Sequence, residues 1–261
     1  MNTGELAQPA RMTSSQGLVY ERRGNGGRPV VLLHGWCLSG RLWTYEQADL
    51  AASFDVITPD LPGFGRSDGL AGPFVYERYV SDIQDLLAEA DLHDAVLVGF
   101  AFGAAVAMGV AARDASRLRG LVLVGTPSAA HFPADRMVAS MRRDWPQFAR
   151  RSAEVICKKP QSDATLQWLG NMFGSTPLPV AMETAALLGI FEPLPLAPRV
   201  HVPTLFVHGA EDHIAPLSIA EDCVAQCPQA RLEAVDDCGH LVPFDQRERF
   251  RAALHGFLSE S

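Results

Sequence analysis

Short apolar runs recur along the chain at residues 18–22, 30–33, 54–58, 95–98, 121–124, 204–207 and 231–235, with helix-like stretches between them at 40–52, 76–90, 101–112, 219–226 and 247–258. Strand-length runs alternating with helix-length ones are the pattern of a largely parallel sheet covered by helices on both faces. The fold class predicted is therefore α/β. The alternation fails between 130 and 200, where helix-like pieces are broken by Pro133, Pro146, Pro160, Pro177, Pro179, Pro193, Pro195 and Pro198. Prolines at that density end helices and set turns. Because the sheet pattern resumes near 203, this segment is expected to be a helical cap (130–200). It would be inserted into a core of 17–129 and 201–261, behind a flexible N-terminal tail of 1–16. Open α/β sheets bind ligands at the carboxyl ends of their strands, so a cap there would shape a pocket and exclude water.

Composition narrows the function classes. A chain of 261 residues, 48% hydrophobic, can bury one substantial core. Its formal net charge of −8 argues against nucleic acid as a partner, since that binding depends on surplus Lys and Arg. Residues 1–17 are polar and hold no apolar signal core, and no run reaches the roughly 18 apolar residues of a membrane span. A cytoplasmic protein without membrane contact is expected. The five cysteines are scattered and odd in number, which argues against a disulfide framework, and Cys223 and Cys227 lack the partners of a metal site.

The chemistry concentrates in five segments. Gly99-Phe100-Ala101-Phe102-Gly103 follows a strand and opens a helix, the setting of a G-x-S-x-G elbow, but an alanine stands at the reactive position. Leu32-Leu33-His34-Gly35-Trp36 closes a strand with a His-Gly turn, and Asp60-Leu61-Pro62-Gly63-Phe64-Gly65-Arg66-Ser67 suits a tight loop after the next strand. Val207-His208-Gly209-Ala210-Glu211-Asp212-His213 puts Asp212 just past a strand, and Cys238-Gly239-His240 puts His240 in a loop before the last helix. Asp212 is preferred to Glu211 as the acid. His208 reads as a structural histidine within its strand, His213 is a second candidate base, and His34 is expected to hydrogen-bond backbone in its turn.

With these segments in the order elbow, acid, histidine, the chain resembles the α/β-hydrolase superfamily beyond its N-terminal tail. LHGWCLSGRLW, DLPGFGRSDG and the compact cap are most similar to the pimeloyl-acyl-carrier-protein methyl ester esterases of biotin synthesis. The resemblance implies a Ser-His-Asp carboxylesterase acting on an acyl ester without a cofactor. Residue 101 would be the nucleophile position, Asp212 would orient His240 as base, and the N–H groups of Trp36 and Phe102 would form the oxyanion hole. Trp36 and Phe100 would also touch substrate. Ala101 departs from that pattern, as does Ala104 where a second glycine often follows.

Either Ala101 replaces a serine, or it is natural. A natural alanine leaves open a bare His-Asp dyad enzyme (lactonase, lyase or cofactor-free oxygenase), another nucleophile such as Cys37 or Ser128, or a ligand-binding pseudoenzyme. Between 136 and 159, seven basic residues (Arg136, Arg142, Arg143, Arg150, Arg151, Lys158, Lys159) stand against Asp144 and Glu154. With the family resemblance, the five arginines are expected to dock an acidic acyl carrier protein; a solvated face is the alternative. The apolar cap residues Trp145, Phe148, Trp168, Leu169, Met172, Phe173, Leu187, Leu188 and Phe191 fit either a pocket lining or a cap core.

Overall fold

The computed structural model describes residues 9–24 and 26–260. In chain order the elements are β1 (Ala10–Thr13), β2 (Val19–Arg23), β3 (Pro29–Leu33), α1 (Thr44–Leu50), β4 (Asp55–Pro59), α2 (Tyr76–Glu89), β5 (Ala95–Phe100), α3 (Phe102–Arg113) and β6 (Leu118–Val124). They continue with α4 (Ala134–Arg143), α5 (Trp145–Val155), α6 (Asp163–Ser175), α7 (Leu178–Leu188), β7 (Thr204–Gly209), α8 (Leu217–Gln226), β8 (Ala230–Val235), α9 (Val242–Asp245) and α10 (Arg247–Glu260). The strands form one sheet in the order β1-β2-β4-β3-β5-β6-β7-β8. From β4 through β8 every pairing is parallel, while β1 and β2 run antiparallel at one edge.

Every residue of β4, β5 and β7 is buried, which is why these segments read as continuous apolar runs and not as alternation. Helix α3 is buried along nearly its whole length against β3, β5 and β6 and beneath α2. That approach depends on glycine. A Cβ on Gly103 would lie 2.3 Å from the Leu33 carbonyl oxygen, and one on Gly99 would lie 2.4 Å from the Gly103 carbonyl oxygen. The chain can therefore pass from β5 into α3 through a single residue, Ala101.

Ala10–Thr13, assigned by the sequence to the N-terminal tail, instead forms β1 and pairs with Val19–Arg22. All four residues are exposed, so the strand is held by backbone bonds at a sheet edge and leaves no apolar pattern to detect. Residues 1–8 of that tail lie outside the described residues. Four helices, α4 to α7, stand between β6 and β7. Pro146 does divide the first two: α4 ends at Arg143, and Asp144 caps α5 by accepting a hydrogen bond from the Gln147 N–H at 2.9 Å. No helix among the described residues is long and apolar enough to cross a membrane.

Candidate active site

Ala101 has φ 48° and ψ −109°, a conformation that costs a non-glycine residue on the order of 1–3 kcal/mol. Its neighbours enforce it. The Ala101 N–H donates to the Val124 carbonyl at 2.8 Å, and its own carbonyl accepts from the N–H groups of Ala104 (2.9 Å) and Ala105 (3.1 Å). The side chain is thereby presented to a cavity at the carboxyl end of β5.

The turn after β3 is held by His34, which is fully buried. Its Nε2 accepts the Leu61 N–H at 2.9 Å, so its proton sits on Nδ1 and is donated to the Gly35 carbonyl at 2.8 Å. Burial lowers the pKa of His34 and keeps the ring neutral in this role. The next loop is fixed by buried Asp60, which accepts from the N–H of Gly40 at 2.6 Å and from the N–H and Nε of Arg66 at 2.9 and 2.6 Å. Between these supports, the backbone N–H groups of Trp36 and Phe102 have no acceptor among the described residues. Phe102 also opens α3, where the helix dipole favours negative charge.

Asp212 and His240 meet below the cavity. His240 Nδ1–H donates to Asp212 Oδ2 at 2.7 Å, which leaves Nε2 as the unprotonated nitrogen of a ring that lines the cavity. The other carboxylate oxygen, Oδ1, accepts from the N–H groups of Ile214 (2.8 Å) and Ala215 (2.9 Å). Burial alone would raise the pKa of Asp212, but the His240 and His208 imidazoles and the Ala215 N–H hold it well below the usual carboxylate range. His208 is buried, gives its Nε2 proton to the Ala215 carbonyl at 2.6 Å and so holds up the acid loop. Glu211 is exposed and paired with Lys158 at 2.5 Å, away from the histidine. His213 lies at the cavity rim.

The cavity encloses about 470 Å³. Trp36, Phe100, Met137, Phe148, Phe173 and Leu188 are among its apolar wall residues, while Ser140, Ser152, His131, His213 and Arg151 provide polar groups. Among the described residues no Asp or Glu lines it, in a chain of net charge −8. Of the apolar cap residues singled out in the sequence, only Phe148, Phe173 and Leu188 face this space; Leu169, Met172 and Phe191 are buried elsewhere in the packing. Trp36 is fixed from the cap side, its Nε1–H donating to Thr184 Oγ1 at 3.0 Å.

Neither Cys37 nor Ser128 has a histidine as hydrogen-bond partner among the described residues. Cys37 is fully buried outside the cavity lining, and burial pushes its thiol well above the ordinary value. Ser128 does line the cavity, but its hydroxyl donates to Glu192 Oε2 at 2.8 Å and accepts from the Ala130 N–H, with no histidine as partner.

The arginines divide in two. Arg136, Arg142, Arg143 and Arg150 are exposed on α4 and α5 with no ion pair or side-chain hydrogen bond among the described residues, whereas Arg151 reaches the cavity. Lys158 and Lys159 are already engaged with Glu211 and Asp237, so they do not add to that cationic face. Asp245 and the wall residues Pro127, Ile156 and Ile214 went unmarked in the sequence reading. Nothing local distinguishes them, because their roles come from segments distant in the chain.

A pimeloyl-(acyl-carrier protein) methyl ester esterase of Aromatoleum aromaticum is 30% identical over 236 residues, which cover 82% of this chain and 91% of that protein. The non-heme chloroperoxidase CPO-A1 of Kitasatospora aureofaciens is 26% identical over 259 residues, 90% of this chain and 93% of its own. Among solved structures, a thermophilic esterase from Thermogutta terrifontis superposes with a TM-score of 0.81 at 28% identity, covering 97% of this chain and 99% of that one. An esterase from Exiguobacterium antarcticum shares the fold with a TM-score of 0.89 at 23% identity, covering 97% and 100%. The Alpha/beta hydrolase family profile matches residues 30–253, and the chain belongs to that family.

Proposed function

We propose that the cavity is the site of a carboxylic ester hydrolase of the Ser-His-Asp type in which the nucleophile position carries Ala101. The observation that carries this reading is Ala101 itself, held at φ 48° beside a cavity that His240 also lines, with His240 tied to Asp212 at 2.7 Å. With a serine at 101, His240 Nε2 takes the hydroxyl proton as the oxygen attacks the ester carbonyl, and the oxyanion is met by the N–H groups of Trp36 and Phe102. Collapse expels the alcohol, which takes that proton back from His240. Water, deprotonated in its turn by His240, then releases the acid. With alanine, no acyl-enzyme forms. The same cavity then binds an ester or acyl group and at most assists attack by water.

The apolar wall and the absence of carboxylates suit a neutral or anionic acyl group of medium length. The four arginines beside it, exposed and without an ion pair among the described residues, suit an acidic acyl carrier protein as the bearer of that group. A methyl ester linked to such a carrier, as in the name of the Aromatoleum relative, is the substrate proposed.

A serine-directed fluorophosphonate tests the site directly. Ala101→Ser is expected to be labelled at residue 101, the unaltered chain not at all, and Ala101→Ser/His240→Ala only slowly. Labelling of the unaltered chain at Ser128, or none in a folded Ala101→Ser variant, overturns the assignment. Turnover by the unaltered chain that disappears in His240→Ala would instead establish a dyad enzyme working without a covalent intermediate.

A further inference from the structure

The buried carboxylate of Asp245, at the end of α9, lies outside the site described above yet receives three main-chain donors from two segments, one six residues before it and one in the cap. Oδ2 accepts the N–H groups of Gly239 and Lys158, each at 2.8 Å, and Oδ1 accepts the N–H of Lys159 at 3.0 Å. Gly239 immediately precedes His240, whereas Lys158 and Lys159 follow α5 of the cap. Nearby, the Leu241 N–H donates to the Ile156 carbonyl at 2.8 Å. Residues 156–159 and 239–241 are thus joined by four main-chain hydrogen-bond donors, three of which converge on one side chain.

The approach is close. A Cβ on Gly239 would stand 3.0 Å from the Lys158 nitrogen and 3.1 Å from Asp245 Oδ2, so a side chain there would push these neighbours back by a few tenths of an ångström. On the other side of the loop, a Cβ on Gly209 would lie 2.1 Å from the Gly239 carbonyl oxygen. The Lys158 ammonium adds ion pairs to Glu211 at 2.5 Å and Asp237 at 2.7 Å, next to the acid and within the histidine loop. These last pairs are exposed and contribute little; the buried carboxylate with its three N–H groups is the strong element.

We propose that Asp245 is a positioning residue that locks the His240 loop to the end of α5, so that the placement of His240 depends on the seating of the cap. It touches no reacting atom. The proposal rests on the ester-hydrolase reading only in naming His240 as the base; the junction itself can be read without turnover.

Asp245→Asn is the informative change, because an amide keeps the shape but turns one of two acceptor oxygens into a donor. Either Lys159 N–H or the pair from Gly239 and Lys158 then faces an NH₂ group. Two measurements on the otherwise unaltered chain follow: hydrogen exchange of the amides at 158, 159, 239 and 241, and the NMR resonance of the His240 Nδ1 proton shared with Asp212. We expect at least tenfold faster exchange at both segments together, and a His240 resonance that broadens or disappears by exchange with water. A role confined to cap stability would lower the Tm and leave that resonance unchanged, which overturns the proposal; so would faster exchange at 158–159 alone. Should Asp245→Asn fail to fold, Gly239→Ala separates the same two segments by contact and must give the same paired signature, and its absence there also overturns the proposal. Because neither readout needs hydrolysis, a failure of the esterase assignment in fluorophosphonate labelling leaves this test intact.

Discussion

Ala101→Ser adds one oxygen to a site whose other parts are already arranged, and the size of its effect can be worked out. The serine inherits its backbone from the hydrogen bonds to Val124, Ala104 and Ala105, so the change at φ 48° brings no new strain. His240 keeps its Nδ1 proton on Asp212 at 2.7 Å, leaving Nε2 to accept from the new hydroxyl. Removing the nucleophile from a working triad costs about 10⁶-fold in kcat, with a residual 10³–10⁴ over water left to oxyanion donors and binding. Restoring it should therefore raise kcat by about 10³- to 10⁶-fold, equivalent to about 4–8 kcal/mol at 1.36 kcal/mol per decade, the lower figure allowing for imperfect alignment with Nε2. KM should barely move, because a hydroxyl adds little ground-state binding. Hydrolysis of p-nitrophenyl butyrate and of a medium-chain methyl ester, measured for the parent, Ala101→Ser and Ala101→Ser/His240→Ala, gives the numbers. A folded Ala101→Ser variant with unchanged Tm and less than tenfold gain would refute the reasoning, as would a double variant as active as the single one.

Three further outcomes follow from the same geometry. Ala101→Gly relieves the positive φ and, after the extra freedom given to the unfolded chain, should stabilise the protein by about 1 kcal/mol, a rise of about 2 °C in calorimetry; a fall in Tm would show that the turn is not strained. Glu46 is buried, its Oε2 has no hydrogen-bond partner among the described residues, and burial raises its pKa from 4.5 to about 7. Since the folded state holds that proton more tightly than the unfolded chain, stability should fall by about 3 kcal/mol as pH rises from 4.5 to 7. Glu46→Gln should abolish this component, matching the parent near pH 5 and exceeding it at pH 8, and parallel Tm curves for the two would contradict the assignment. In the Ala101→Ser background, reversing Arg142, Arg143 and Arg150 to Glu should raise KM for a carrier-linked ester at least tenfold, most strongly at low salt, and spare p-nitrophenyl butyrate. Equal loss on both substrates would locate the damage in cap folding.

What the sequence discloses is what neighbours in the chain decide. The central strands are buried on both faces, so 95–98 and 204–207 could be read from composition alone, although β5 runs on to Phe100 and β7 to Gly209. The elbow was legible because Gly99 and Gly103 are demanded by contacts within five residues and by one neighbouring strand. Edge strand β1 left no trace, since all its residues face solvent and its stability comes from pairing with β2. Charge was legible as a count but not as a surface. Lys158 and Lys159 belong to the cationic run in sequence, yet in space they face Glu211 and Asp237, and Arg151 belongs to the cavity. Asp245 was invisible for the same reason: its partners are six and nearly ninety positions away.

On the proposed ester-hydrolase function, an alanine at 101 removes only part of the machinery, because the groups assigned to meet the transition state are main-chain groups. The N–H groups of Trp36 and Phe102 keep their positions whatever side chain stands at 101, since the first is set by the His34 turn and the second by the start of α3. Such donors act on charge that develops on the carbonyl oxygen, and they do so equally for attack by serine or by water. In the proposed role, His240, with Nδ1 bonded to Asp212, would act as base toward a water molecule as well as toward a hydroxyl. On the proposed ester-hydrolase function, the alanine chain would keep transition-state stabilisation worth about 10³-fold over water and lack the intramolecular nucleophile that supplies the rest. The same reasoning fixes where the strain belongs. The φ of 48° is imposed by Val124 and by the first turn of α3 and does not depend on a hydroxyl, so this backbone is a cost the fold carries for any L-residue at 101.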